Sequence, residues 1–75
     1  NYILSENYFE TSLRLNIEAG NQLNRAETYQ ELGVLYKEMG KLQQSKENFK
    51  LALEYFKKIN SEPDISLLEI LLASK

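Results

Sequence analysis

The sequence predicts an all-α fold, with about four helices arranged as antiparallel hairpins stacked in a row. Apolar residues recur at three- and four-residue spacing along nearly the whole chain, and no part of it suggests a strand. The 75 residues include only one proline, and Pro63, Gly20 and Gly40 fall between the periodic segments, where turns are expected. A weak internal repeat of 40 residues supports the same arrangement.

The first two predicted helices span residues 4–19 and 23–39. Gly20 and Gly40 end them, because glycine adopts the left-handed conformation after a helix without steric cost. The apolar side of the first helix is expected to carry Tyr8, Phe9, Ser12, Leu13, Asn16 and Ile17. The inner stripe of the second is expected to carry Ala26, Tyr29, Leu32, Gly33, Tyr36 and Met39.

The third and fourth predicted helices span residues 42–59 and 64–75. The buried face of the third is expected to consist of Leu42, Ser45, Phe49, Ala52, Leu53 and Phe56. Residues 60–64 form the turn before the fourth, where Pro63 suits a helix entrance and Asp64 or Ser66 can cap it. The fourth helix is apolar on all sides rather than along one stripe, which predicts that other elements cover it on several sides.

The internal repeat defines the expected domain organisation. A shift of 40 residues superposes Ser5 on Ser45, Phe9 on Phe49, Leu13 on Leu53 and Leu32 on Leu72. Residues 1–75 are therefore interpreted as one repeat domain or a fragment of one. It would contain the second helix of one unit (4–19), one full unit (23–59) and the first helix of another (64–75). Since the chain begins at Asn1, a fragment or a processed product is expected.

Composition and charge disfavour several classes of function. Apolar residues make up 43% and charged residues 27% of the chain, which is typical of globular proteins. A net charge of −2 disfavours binding to nucleic acid or to an anionic membrane surface. No signal peptide and no 18-residue apolar segment is found, and the lack of cysteine fits a cytoplasmic protein.

The same inventory disfavours catalysis. Without His or Cys, the chain lacks the commonest general base and the strongest nucleophile, so we expect neither an enzyme nor a cofactor. Glu27 with Glu31 and Glu6 with Glu10 are helical pairs at a spacing that can hold a metal. No third ligand is evident, and no metal site is predicted.

The segment AETYQELGVLYKEMGKLQQSKENFKLALEYF, residues 26–56, resembles a tetratricopeptide repeat. The signature places of that family hold Tyr29, Leu32, Gly33, Tyr36, Ser45, Phe49 and Ala52. There are departures: Tyr29 replaces the usual Trp, Ser45 stands where Ala is common, and Lys57 replaces the closing Pro. The period is also near 40 rather than the family's 34.

The resemblance implies a right-handed α-solenoid that binds proteins or peptides through a concave surface. On this chain that surface would include Glu27, Gln30, Glu31, Val34, Lys37 and Glu38. Its three Glu against one Lys favour a neutral or basic peptide. Two alternatives stay open: a simple solvated helix face, and a peptide-sensing regulatory domain of the kind found in bacterial regulators.

The Leu-rich fourth helix suggests a third function, self-association. Leu67, Leu68, Leu71 and Leu72 are the expected contact residues. Leaving such side chains in water forgoes about 1.5–3 kcal/mol each, so a symmetric homodimer is predicted. Coverage by further chain in a longer protein is the alternative.

Overall fold

The computed structural model of the protein describes residues 1–73. Over that range the chain forms four α-helices: α1 (Tyr2–Ala19), α2 (Gln22–Glu38), α3 (Leu42–Lys58) and α4 (Glu62–Ala73). Within this part of the chain each helix packs only on its neighbours in sequence, α1 on α2, α2 on α3 and α3 on α4. The predicted all-α class with sequential hairpins is confirmed. The predicted end of the fourth helix, at residue 75, lies outside the described residues.

The three turns between helices share one geometry. Each contains a residue in the left-handed conformation, namely Gly20 (φ 71°), Gly40 (φ 78°) and Asn60 (φ 56°). In each turn the next residue donates its N–H to the carbonyl five positions back, over N–O distances of 2.8–3.0 Å. This is the Schellman arrangement, which satisfies carbonyl groups that the helix end leaves free. Equivalent turns thus recur every 20 residues, and each of them reverses the direction of the chain between two consecutive helices.

The entrance to α4 differs from the expectation. Asp64 and Ser66 lie inside α4, which begins at Glu62, so neither precedes it as a cap. Ser61 stands before the helix instead, and its hydroxyl donates a hydrogen bond to the Asp64 carboxylate. Glu62 and Asp64 both lie in the first turn, where negative charge interacts favourably with the helix dipole.

The core is centred on the contact between α2 and α3. One cluster comprises Ala26, Tyr29, Phe49, Ala52, Phe56 and Leu68, so it joins α2, α3 and α4. A second cluster, of Leu32, Leu35 and Tyr36, packs against Phe9 and Leu13 of α1. Small residues allow close approach at the centre, where a Cβ added to Gly33 would lie 2.6 Å from the Phe49 ring. The Ser45 hydroxyl donates to the Gly33 carbonyl oxygen at 2.6 Å.

One prediction about a buried face is wrong, and the two outer helices are only partly covered. No residue of α1 is fully buried, and Tyr8 and Ile17 are exposed, because α2 is the one neighbouring helix of α1 within residues 1–73. Leu42, at the first position of α3, is exposed rather than buried. In the fourth helix Leu68 is fully buried, whereas Ile70 is 66% exposed, because α3 is the one helix within residues 1–73 that contacts α4. Cover of the other sides by further chain or by a second copy stays a prediction.

Candidate protein-interaction groove

An open groove of about 520 Å³ runs between α1 and α2. It is lined by Ser5 and Phe9 from α1 and by Glu27, Gln30, Glu31, Val34, Leu35 and Glu38 from α2. Leu35 is buried and Phe9 half-buried, so they give the groove an apolar base, whereas Val34 and the three glutamates are exposed. The groove thus combines an apolar contact surface with an acidic wall.

Five of the six residues expected on a concave surface line this groove. They share it because positions 27, 30, 31, 34 and 38 follow the three/four spacing of one helix face. Lys37, the sixth, is exposed but is not among the lining residues. Its absence leaves the groove wall more acidic than the sequence suggested.

The α1 side of the groove was not anticipated from sequence. Ser5 and Phe9 line it, and neither was named as a candidate contact residue. A signal for them existed in the 40-residue repeat, because Ser45 and Phe49 at the equivalent positions pack directly against α2.

The acidic wall is free of ion pairs within residues 1–73. In that range the one salt bridge joins Arg14 to Glu18 on α1, at 3.7 Å and with both side chains exposed. Glu27, Glu31 and Glu38 therefore present their carboxylates to water or to a ligand. Such charges act mainly on the approach and selection of a partner.

A hydrogen bond between side chains ties α1 to α2 near the groove. The Tyr36 hydroxyl donates to Glu6 Oε2 at 2.6 Å. This bond raises the pKa of Tyr36 to about 12, and burial and the negative charges of Glu6 and Glu10 act in the same direction. The protonated phenol is thus the form that holds the two helices together.

A cluster of aromatic and cationic side chains lies where α2 meets α3. The Tyr29 and Tyr55 rings stack with centroids 5.8 Å apart, and the Arg25 guanidinium lies 4.1 Å from the Tyr55 centroid. Lys58 Nζ lies 4.4 Å from the same centroid. Cation–π contacts of this kind contribute about 0.5–1 kcal/mol each at exposed sites. Sequence reasoning did not find this cluster, whose role is to join α2 and α3.

The Leu-rich α4 divides into a buried and an exposed side. Leu68, predicted to mediate self-association, is 0% exposed and belongs to the chain's own core, so it cannot contact a partner. Leu71 and Leu72 are half-buried against that core. Leu67, at 45% exposure, and Ile70, at 66%, form the apolar surface that remains.

Two further kinds of feature are absent from residues 1–73. No group of three His, Cys, Asp or Glu side chains in that range is placed to hold a metal ion. None of the helices there combines the length and the apolar character needed to cross a membrane.

Comparison with known proteins identifies the repeat. The family model described as "Tetratricopeptide repeat" matches residues 1–58, which comprise α1, α2 and α3. Comparisons with curated proteins and with solved structures gave no match. The family match covers more than half of the chain and agrees with the four sequential helices, so the chain belongs to the tetratricopeptide repeat family.

Proposed function

We propose that this tetratricopeptide repeat domain binds a protein or peptide in the groove between α1 and α2. The observation that carries the proposal is the composition of the groove. Phe9, Val34 and Leu35 supply apolar contact. Beside it, Glu27, Glu31 and Glu38 supply negative charge, and they form no ion pair within residues 1–73. A ligand with an apolar anchor and a neutral or basic flank complements both features. The domain then acts as a cytoplasmic scaffold without catalysing a reaction.

Charge reversal on the groove wall tests this proposal. Peptides displayed as a random library are selected on the purified protein, and the affinity of the enriched peptides is measured by fluorescence anisotropy. We expect neutral or basic peptides to be enriched. The double substitution Glu27→Lys with Glu31→Lys should weaken their binding roughly 5- to 30-fold, since each exposed charge pair contributes up to about 1 kcal/mol.

A matched control uses Glu47→Lys with Glu54→Lys, which changes the net charge equally on the exposed side of α3, away from the groove. This control should bind the enriched peptides with nearly wild-type affinity. Enrichment of acidic peptides, or equal affinity for wild type and the groove variant, would exclude the groove as the binding site.

Self-association through α4 is a second candidate function, and the exposure of Leu67 and Ile70 favours it. We propose that these two side chains form the centre of a symmetric dimer contact, flanked by Leu71 and Leu72. Burying two large aliphatic side chains on each subunit contributes about 1.5–3 kcal/mol per side chain. In sedimentation at high micromolar concentration the wild type should be dimeric, and Leu67→Lys with Ile70→Lys should be monomeric with unchanged helical content. A monomeric wild type would refute the dimer.

A further inference from the structure

We infer that Arg25, Tyr29 and Lys58 form a binding site for a phosphoryl group beside the Tyr55 ring, where α2 meets α3. The ligand class is a phosphate dianion, either carried on a side chain of a phosphorylated protein or free in solution. None of these residues lines the groove between α1 and α2, so the inference goes beyond the proposed function and is independent of it. The site belongs to α2 and α3, which each have a further helix before and after them in the chain.

Two cationic groups from different helices converge on the Tyr55 ring. The guanidinium carbon of Arg25 lies 4.1 Å from the ring centroid, and Lys58 Nζ lies 4.4 Å from the same centroid. Cation–π attraction accounts for each contact taken alone. It leaves the repulsion between the two positive charges, which a negative charge beside them would offset.

No carboxylate pairs with these cations in the part of the chain that the structure describes. Arg25 and Lys58 take part in no ion pair within residues 1–73. Glu54 stands four residues before Lys58, a spacing at which the two side chains could pair along α3. Lys58 instead lies over the tyrosine ring. An external anion could therefore pair with both cations at once.

Hydrogen-bonding capacity at the same place is also unused. The Nε and Nη2 groups of Arg25 donate to the Tyr29 hydroxyl oxygen, but at 3.4 Å both bonds are long, and the guanidinium has further N–H groups. Tyr29 is only 7% exposed, and within residues 1–73 its hydroxyl has no acceptor for its own proton. A buried phenol that still has a proton to donate suits a ligand rich in acceptor oxygens.

The donors favour a phosphate over a carboxylate. A phosphate dianion balances two positive charges, whereas a carboxylate balances one. Its oxygens can accept hydrogen bonds from a guanidinium, a phenol and an ammonium group together, and arginine matches phosphate geometry especially well. Arg25 and Tyr55 are half-buried and Lys58 is exposed, so the site can be reached from solvent.

The test titrates two probes into the isotope-labelled 75-residue protein and follows amide and arginine Nε–H signals by NMR. One probe is inorganic phosphate, compared with sodium chloride of equal ionic strength. The other is a capped tripeptide with phosphoserine between two glycines, compared with its unphosphorylated form. We expect shift changes at Arg25, Tyr55 and Lys58. A small anion on partly solvated cations binds weakly, so the dissociation constant should be on the order of 1 mM.

Single substitutions test which cations hold the ligand. Arg25→Gln and Lys58→Gln should each weaken phosphate binding roughly tenfold, because each removes a charged hydrogen-bond donor. Lys57→Gln is the matched control. It removes the same charge from the last turn of α3, but Lys57 makes no cation–π contact among the described residues. Its binding should stay within about twofold of wild type.

A conservative variant separates binding from folding. Arg25→Gln also removes a contact between α2 and α3, so its helical content is checked by circular dichroism. Lys58→Arg keeps the positive charge, and it should bind phosphate within about twofold of wild type. Loss of binding in Lys58→Gln, with retention in Lys58→Arg, is the pattern that a purely structural lysine would not give.

The two probes also distinguish the sources of the phosphoryl group. A phosphoserine peptide that binds at least as tightly as inorganic phosphate would identify a phosphorylated protein as the source, because the site then has room for the ester. Weaker binding of the peptide would identify free phosphate.

Three results would overturn the inference. The first is the absence of shift changes at Arg25, Tyr55 and Lys58 with both probes. The second is an equal loss of affinity in Lys57→Gln and Lys58→Gln, which would mean unspecific attraction to the basic end of α3. The third is equal binding of the phosphorylated and unphosphorylated peptides. None of these results bears on the groove, whose library selection is a separate measurement.

Discussion

Replacing Gly33 with alanine measures how tightly α2 packs on α3. In an ordinary helix this change stabilises by about 1 kcal/mol, because alanine has the higher helix propensity. Here the new Cβ would meet the Phe49 ring at 2.6 Å, and the ring is buried between helices rather than at the end of a flexible side chain in water. Overpacking of this kind costs about 1–3 kcal/mol. The expected net effect is a destabilisation of about 1 kcal/mol, or roughly 4–8 °C in the melting temperature.

Urea denaturation followed by circular dichroism provides the assay, and a double-mutant cycle identifies the cause. Combining Gly33→Ala with Phe49→Leu should recover part of the loss, with a coupling energy of about 0.5–3 kcal/mol. Gly40→Ala is the control, because that position has no atom within 4 Å of an added Cβ but has a φ of 78°. Its cost of about 1–2 kcal/mol should be independent of Phe49. A stabilising Gly33→Ala, or a coupling of zero, would refute the close-packing argument.

Three further predictions concern side-chain burial in α4, the turn after α2 and the hydrogen bond of Tyr36. Leu68→Ala should cost about 2–5 kcal/mol in urea denaturation, whereas Ile70→Ala should cost less than about 0.5 kcal/mol, because one side chain is buried and the other exposed. Gly40→Asn should destabilise less than Gly40→Ala, because Asn60 already adopts the same conformation in an equivalent turn. The raised folded-state pKa of Tyr36 gives a stability contribution that is complete below pH 10 and is lost as pH rises towards 12. That loss should reach about 2–3 kcal/mol in alkaline urea titrations and be absent from Tyr36→Phe, and identical slopes for the two proteins would contradict it.

The centre of the fold could be predicted well from the sequence, because the sizes of its side chains indicate which residues contact one another. Gly33, Ser45, Phe49 and Ala52 are positions where only small or only large side chains fit between two helices. Each of them is buried at the contact between α2 and α3. Periodicity and small residues together therefore indicated both the helices and the faces that meet.

The same reasoning says less about the burial of the outer helices. Tyr8 and Ile17 follow the apolar spacing of α1, and Ile70 belongs to the apolar surface of α4, yet all three are exposed. Periodicity indicates which residues can be buried, but burial also requires a neighbouring helix on that side. In residues 1–73, α1 and α4 each have one such neighbour.

One side of the groove could be predicted from the sequence, and the other could not. Spacing along α2 identified the face with Glu27, Glu31 and Val34, because all of them belong to one helix. The contribution of Ser5 and Phe9 depends on how α1 lies against α2, which no local pattern specifies. Only the repeat relation to Ser45 and Phe49 carried that information.

Packing restricted to sequential neighbours has a consequence for the shape of the groove. Since α1 contacts α2 and no other helix in residues 1–73, a tilt of α1 would change the width of the groove without directly displacing α3 or α4. No side chain of α1 is fully buried, so such a tilt would affect mainly the contacts of Phe9 and Leu13 with the core. The Tyr36–Glu6 hydrogen bond, which joins α2 to α1, would restrain it. If the proposed groove binds ligands, we expect ligands of different diameters to be accommodated at the α1 end of the domain while the α3–α4 end keeps its shape.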